Sequence, residues 1–283
     1  MKKSLILELQ ASTEFMSNTE KKIASVILSS PESFTLMSLG ELESVAEVSQ
    51  GSIINFSNKY AGGGFPALKM AVAASLASRE ETPLSIITGE DSAHTALKKG
   101  AVGISAAVQN TANINSGEGL EGLAELILKA KRIDIYGIYR SAIVASDLNM
   151  ELLELGIPSS VVSDVLTCAL SASLLHEGDL VIAISSSGKT RDILDAVKIA
   201  KENGAKVAVI TAYKNSPLAR LSDLLLIAAS SGSSHFSFEK EIRMSQLALI
   251  DAVCAYIQHR IDKDGDKRYY TAKKILELHS ERD

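Results

Sequence analysis

The chain has 283 residues, 46% of them hydrophobic and 22% charged, with a formal net charge of −5. That is enough apolar material for one large domain or two ordinary ones in a soluble protein. The acidic balance argues against nucleic-acid binding by the chain as a whole, but a small binding domain is compatible with that average.

No apolar stretch approaches the roughly 20 residues that cross a bilayer, and the N-terminal run meets Glu8 too early for a signal peptide. Cys168 and Cys254 have no ligand-spaced companions, so neither a disulfide frame nor a zinc site is indicated. Buried, inert thiols in a cytoplasmic protein are expected, with no metal, no cofactor and no membrane partner.

Residues 1–79 read as all helix. Leu5, Leu9, Phe15, Ile23, Val26, Ile27 and Leu28 recur at helical spacing, and Pro31 stops the run. Ser17 to Glu20 offers N-cap candidates for a helix through Ser29. Ser38 and Ser49 are natural N-caps for two further helices joined by a short link, the spacing of a helix-turn-helix. Val48 and Ile53 would lock the second helix against the first. Ala61-Gly62-Gly63-Gly64 ends it, and Phe65 to Lys69 starts another. Residues 80–105 turn polar and read as a linker with a short helix.

From Arg132 strands and helices alternate, which predicts a parallel sheet with helices on both faces. Strands are expected at Ile133–Gly137, Ser160–Val162, Leu180–Ile184, Lys206–Thr211 and Leu224–Ile227, and a closing helix from about Glu239 to His259. The central stretch is Leu180-Val181-Ile182-Ala183-Ile184-Ser185-Ser186-Ser187-Gly188-Lys189-Thr190. Five apolar residues predict a strand buried on both faces, and a helical period begins at Arg191. Between them, Ser185, Ser186, Ser187 and Thr190 surround Gly188 at a helix N-terminus, where free N–H groups and the macrodipole favour an anion, foremost a phosphate. A turn merely capped by serine would use one of those hydroxyls. A nucleotide P-loop is excluded, because its first glycine would fall at Ala183, inside the strand.

The N-terminal block resembles the helix-turn-helix domain of the RpiR family of bacterial transcriptional regulators. Glu20-Lys21-Lys22-Ile23-Ala24, Met37-Ser38-Leu39, Glu41-Leu42, Val48-Ser49, Phe56, Lys59, Gly64-Phe65 and Leu68-Lys69 carry the likeness. The resemblance implies operator binding, with Ser38, Ser49, Gln50, Ser52, Asn55 and Lys59 as the DNA-binding candidates. Four positions depart from the family pattern. Glu43 stands at a small-residue position and Glu47 at a turn glycine, so Glu47 is expected at positive φ. Asn55 and Asn58 stand where arginines are usual, which weakens phosphate contact. Basic and acidic side chains balance over residues 1–79.

Residues 110–260 resemble the SIS (sugar isomerase) domain, which binds phosphosugars. The serine loop, Asn203-Gly204-Ala205, Ile210-Thr211, Ser216-Pro217-Leu218-Ala219 and Arg243 with Gln246 to Asp251 carry that likeness. Gly137, Ser141, Ser185, Ser186, Ser187, Gly188, Thr190 and Glu239 are the resulting candidates for holding a sugar phosphate. The usual glycine- and serine-rich first loop here reads Gly137-Ile138-Tyr139-Arg140-Ser141, where the bulkier Tyr139 and Arg140 would narrow the pocket or reach an anion.

The expected architecture is therefore an α/β fold with an all-α N-terminal domain. A helix-turn-helix bundle (1–79) and a linker (80–105) precede a doubly wound parallel-sheet SIS domain (106–283). The expected function is a regulator that binds operator DNA, senses a phosphorylated sugar and forms a homodimer, since two half-sites need two recognition helices. The alternative is a phosphosugar isomerase or binding module with a helical oligomerisation domain, for which His235, Glu239 and Glu241 would supply acid–base groups.

Overall fold

A computed structural model describes residues 5–77, 89, 91–232, 235–264 and 267–280. The chain divides into two compact units, Met1–Ala106 with Ser231–Ser234 and Ala107–Ser230 with His235–Asp283.

The first unit opens with α1 (Leu5–Ser12), a single 3-10 turn, α2 (Asn18–Ser29), α3 (Pro31–Leu36), α4 (Leu39–Ala46), α5 (Gln50–Ala61) and α6 (Gly64–Ala77). Pro31 does more than stop α2: it begins α3 at a first-turn position, where its missing N–H costs nothing. Ser17 and Ser38 cap α2 and α4 in reciprocal capping boxes with Glu20 and Glu41. Ser49 caps α5 by accepting from the Ser52 N–H. Glu47 ends α4 in the left-handed region at φ 49°, as expected of a residue at a turn-glycine position.

Ile23, Ile27, Phe34, Leu42, Ile53 and Leu68 are fully buried at the centre of this bundle. Burying each is worth about 1.5–3 kcal/mol, whereas an exposed ion pair gives about 1 kcal/mol at most. The core therefore holds the unit together, and its surface ion pairs add little to that.

Residues 80–88 and 90 of the expected linker lie outside the described residues. From Ala93 the chain is a 22-residue helix, α7 (Ala93–Ile114), far longer than the short helix expected there. Ser92 starts it by accepting from the Thr95 N–H. Lys98, Lys99 and Gly100 mask the helical period in the sequence, while alanines at high helix propensity sustain it.

The second unit continues with α8 (Gly117–Lys129), β1 (Ile133–Tyr136), α9 (Arg140–Glu154), β2 (Ser160–Val162), α10 (Val165–Ser173), β3 (Leu180–Ile184) and α11 (Arg191–Glu202). It ends with β4 (Lys206–Thr211), α12 (Pro217–Leu221), β5 (Leu224–Ile227), α13 (His235–Asp264) and α14 (Lys267–Ser280). All strand pairs are parallel, in the order β2-β1-β3-β4-β5. Alternate residues serve opposite faces. Ile133, Ile135, Ile182 and Ile210 pack with α8, α9 and α13 residues such as Ile127, Leu148 and Ile250. Tyr136, Val181, Ala183 and Val207 pack with α10 and α11 residues such as Ala172 and Val197.

The closing helix is longer than expected, and α14 was not expected at all. Little in its sequence announces it, because Tyr269 supplies its buried anchor. Gly156, at φ 74°, lets it approach: a Cβ there would lie 2.6 Å from the Arg268 carbonyl carbon.

Candidate functional site

Strand order reverses between β1 and β3, and in open parallel sheets ligands bind beyond the C-terminal ends of the strands at such a point. Two loops leave the sheet there: 137–139, which leads into α9, and 185–190, which leads into α11. Neither helix has a side-chain cap. At the α9 start the Ser141 and Ala142 N–H groups donate to the Ile138 and Tyr139 carbonyls at 3.2 and 3.1 Å, so the first turn of α11 is the one left for another acceptor.

A cavity of about 300 Å³ opens at these two helix starts. Ser141, Ser185, Ser186, Ser187, Thr190 and Glu239 of the expected set line it together. Ser185 is 3% exposed; its hydroxyl accepts from the Gly188 N–H at 3.1 Å and lies 3.2 Å from the Thr190 hydroxyl. Ser187 Oγ accepts from the Lys189 N–H at 3.2 Å. The Ser186 carbonyl is held by the Ala212 N–H at 3.0 Å and the Thr211 hydroxyl at 3.2 Å, so β4 fixes the loop.

Gly137 and Gly188 do not line the cavity; they allow its walls to form. A Cβ on Gly137 would lie 2.6 Å from the Ser141 carbonyl oxygen, and one on Gly188 would lie 2.3 Å from Ser216 Oγ. Gly188 also sits at φ 62°. Sequence alone does not separate a glycine that admits a ligand from one that admits its own chain.

The lining also includes Ile138, Tyr139, Arg140, Arg243 and Gln246. Tyr139 holds the glycine-like conformation φ 54°, ψ −119°, and is exposed. Such backbone strain clusters at binding sites and costs on the order of 1–3 kcal/mol. Arg140 lies 3.4 Å from Glu239 at the open rim. In the sequence Arg243 and Gln246 carry only the SIS likeness; their distance from the serine loop hides their place in the site. Of the acid–base candidates, Glu241 is buried and off the cavity, and the His235 side chain lies outside the described residues. Among the described residues, no cluster of His, Cys, Asp or Glu is arranged to hold a metal ion, and no helix is long and apolar enough to cross a membrane.

In the first unit α4 and α5 form the helix-turn-helix. Ser38, Ser49 and Ser52 are engaged in capping, with Ser49 Oγ 2.9 Å from Ser52 Oγ. Asn55 is exposed on α5. Three of the four departures from the family pattern have structural partners. Glu43 accepts from Gln50 Nε2 at 2.8 Å, and Glu47 lies 3.0 Å from Lys22 Nζ. Asn58 Oδ1 accepts from the Gly64 N–H at 3.0 Å, which fixes the α5–α6 turn. Lys59 is paired with Glu20. The polar face of α5 is therefore restrained by carboxylates and matched in charge.

Two family models match the chain: "Helix-turn-helix domain, rpiR family" over residues 3–79 and "SIS domain" over residues 126–255. An uncharacterized HTH-type transcriptional regulator of Caldanaerobacter subterraneus is 32% identical over 93% of this chain and 91% of its own length. The HTH-type transcriptional regulator HexR of Pseudomonas aeruginosa is 29% identical over 97% of this chain and 96% of its own. Among solved structures, the Vibrio vulnificus NanR protein complexed with ManNAc-6P shares the fold, with a TM-score of 0.58 at 23% identity, covering 97% of this chain and 98% of that one. The chain belongs to the rpiR family of helix-turn-helix transcriptional regulators that carry a SIS domain.

Proposed function

We propose that this chain is a DNA-binding regulator whose SIS domain senses a phosphorylated sugar, acting as a homodimer in the cytoplasm and without enzymatic activity. The observation that carries the sensor reading is the meeting of two uncapped helix N-termini and the hydroxyls of Ser141, Ser185, Ser186, Ser187 and Thr190 in one cavity. A phosphate suits such a rim, since each of its oxygens accepts several hydrogen bonds and its charge opposes both helix dipoles. NanR, which shares the fold, was solved with the sugar phosphate ManNAc-6P. The relatives reported above are named transcriptional regulators, which favours sensing over turnover. DNA binding is assigned to α5, with Gln50, Asn55 and Lys59 facing the groove and the Ser38, Ser49 and Ser52 caps positioning the two helices.

The test is a thermal-shift screen of sugar phosphates on the full chain, with titration calorimetry of each hit, because a ligand specific to the folded state raises its stability. Ser187→Asp should abolish binding of every hit by charge repulsion while circular dichroism stays native. Unchanged affinity in a folded Ser187→Asp variant would remove the site.

A further inference from the structure

The α13 side of the cavity is not used by the phosphate cradle. Glu239, Arg243 and Gln246 stand at i, i+4 and i+7 on one face of α13, and all three line the cavity. Glu239 is matched by Arg140. Gln246 is 1% exposed, yet its Nε2 has no hydrogen-bond partner. Buried polar groups are nearly always satisfied, so this donor is aimed at something the folded chain itself does not supply. Arg243 forms no ion pair among the described residues, although it stands beside that orphaned amide on the same helix face.

The two sides of the cavity come from opposite layers. α11 packs on the sheet face of Val181 and Ala183, whereas α9 and α13 pack on the face of Ile135 and Ile182. A phosphate seated between the α11 and α9 N-termini leaves the far end of a short ligand to Arg243 and Gln246. That end meets a guanidinium with no ion pair among the described residues and an unmet amide donor. Both favour negative charge or strong acceptors.

We propose that the effector is a phosphorylated sugar acid, with its phosphate on the serine loop and its carboxylate on Arg243 and Gln246. This rests on the phosphosugar reading of the cavity and narrows it. The planar guanidinium fork matches a carboxylate in two parallel hydrogen bonds, and the Gln246 amide donates to the same group or to the hydroxyl beside it. A neutral sugar tail would leave Arg243 with uncharged acceptors alone. A second phosphate would bring more charge than one guanidinium balances.

Calorimetry on the full chain tests this with matched pairs, each an aldose 6-phosphate and the corresponding 6-phosphoaldonate, together with sugar bisphosphates. In at least one pair the acid should bind about tenfold or more tighter, the factor that one charge-assisted hydrogen bond supplies. Arg243→Gln should erase that preference, weakening the acid far more than the aldose phosphate. Should Arg243→Gln not fold, Gln246→Glu must reverse the preference by repelling the carboxylate. If every aldose phosphate binds as well as its acid, or a bisphosphate binds best, the proposal fails while the phosphate site stands. If no compound in the panel binds, both fall together.

Discussion

Lys59 Nζ lies 2.5 Å from Glu20 Oε1, which ties the recognition helix α5 to the first turn of α2. The same carboxylate accepts from the Ser17 N–H through its other oxygen at 2.8 Å, completing the α2 capping box. One side chain thus caps a helix and holds the lysine proposed to face DNA. Glu20→Gln should separate the two tasks, since glutamine also completes a capping box. Its amide does not hold an ammonium with a charge. Operator affinity should rise, and the slope of log affinity against log salt should steepen by about one phosphate contact. Fluorescence anisotropy across a potassium chloride series reads both; an unchanged slope would mean that Lys59 does not reach the backbone of the DNA.

The same pair sets a pH window. Burial pushes the Glu20 carboxyl up, but the Lys59 and Ser17 hydrogen bonds outweigh it and hold the group below its ordinary 4.5. The Glu20 hydrogen bond lifts Lys59 above its ordinary 10.5 against a smaller opposing effect of burial. Glu20 binds its proton less tightly in the folded state, so its contribution is present above about pH 4.5 and is lost as pH falls through the lowered value. Lys59 holds its proton more tightly, so its share is full below 10.5 and is lost as pH rises through the raised value. The melting temperatures of wild type and Glu20→Gln should differ at neutral pH and converge in acid. A gap that persists at pH 3 would point to the cap rather than to the ion pair.

Glu47 carries a second testable cost. At φ 49°, ψ 52° it occupies the left-handed region, which disfavours a side chain by about 1–2 kcal/mol. Its ion pair with Lys22 is largely solvent-exposed and returns little of that. Glu47→Gly should therefore stabilise the chain by about 1 kcal/mol, read in urea denaturation as a higher midpoint at constant slope. It should also free Lys22. A lower midpoint would show that the ion pair, or the loss of backbone entropy on folding, dominates.

Much of this was legible in the sequence where one physical cause leaves one pattern. Five apolar residues from Leu180 to Ile184 identify a strand covered on both faces, and Ser38 and Ser49 mark the starts of α4 and α5. Positive φ at Glu47 followed from its place at a turn-glycine position. Elsewhere two causes leave the same letters. Gly137 and Gly188 read as ligand contacts, yet each makes room for the protein's own Ser141 and Ser216. Arg243 and Gln246 sit on a helix more than fifty positions from the serine loop, and polar residues spaced in this way ordinarily face solvent. Only the packing of α13 beside α9 brings them to the cavity.

Both cysteines should be silent in the native state. Burial pushes the Cys168 thiol up to about 11 and the Cys254 thiol up to about 12. The thiolate is the reactive form, so almost none exists at pH 8. A colorimetric thiol reagent should register neither cysteine at pH 8 and both after denaturation. Fast labelling of Cys168 in native protein would mean that α10 opens from the sheet more readily than its packing implies.

Sensing requires that the two activities be coupled, and linkage fixes the form of that coupling. A sugar phosphate alters operator affinity only if it binds the DNA-competent arrangement and its alternative with different affinities. Operator DNA must then alter sugar-phosphate affinity by the same factor, whatever the structural route. The proposed site would give the ligand a means of discriminating: a phosphate held by α11 and α9, two helix starts from opposite layers of the sheet, would change its binding energy with a small change in their separation. A coupling of about 1–3 kcal/mol, or roughly 5- to 150-fold, is the expected size. Calorimetric titration of the best-binding sugar phosphate, with and without saturating operator DNA at one salt concentration, measures it directly. The reverse titration of DNA, with and without ligand, must return the same factor. Glu20→Gln should raise DNA affinity in both states and leave that factor unchanged, because a released Lys59 would act on DNA and not on the ligand. Two superimposable curves would mean that the cavity and the recognition helix work independently, and the sensor reading would be lost.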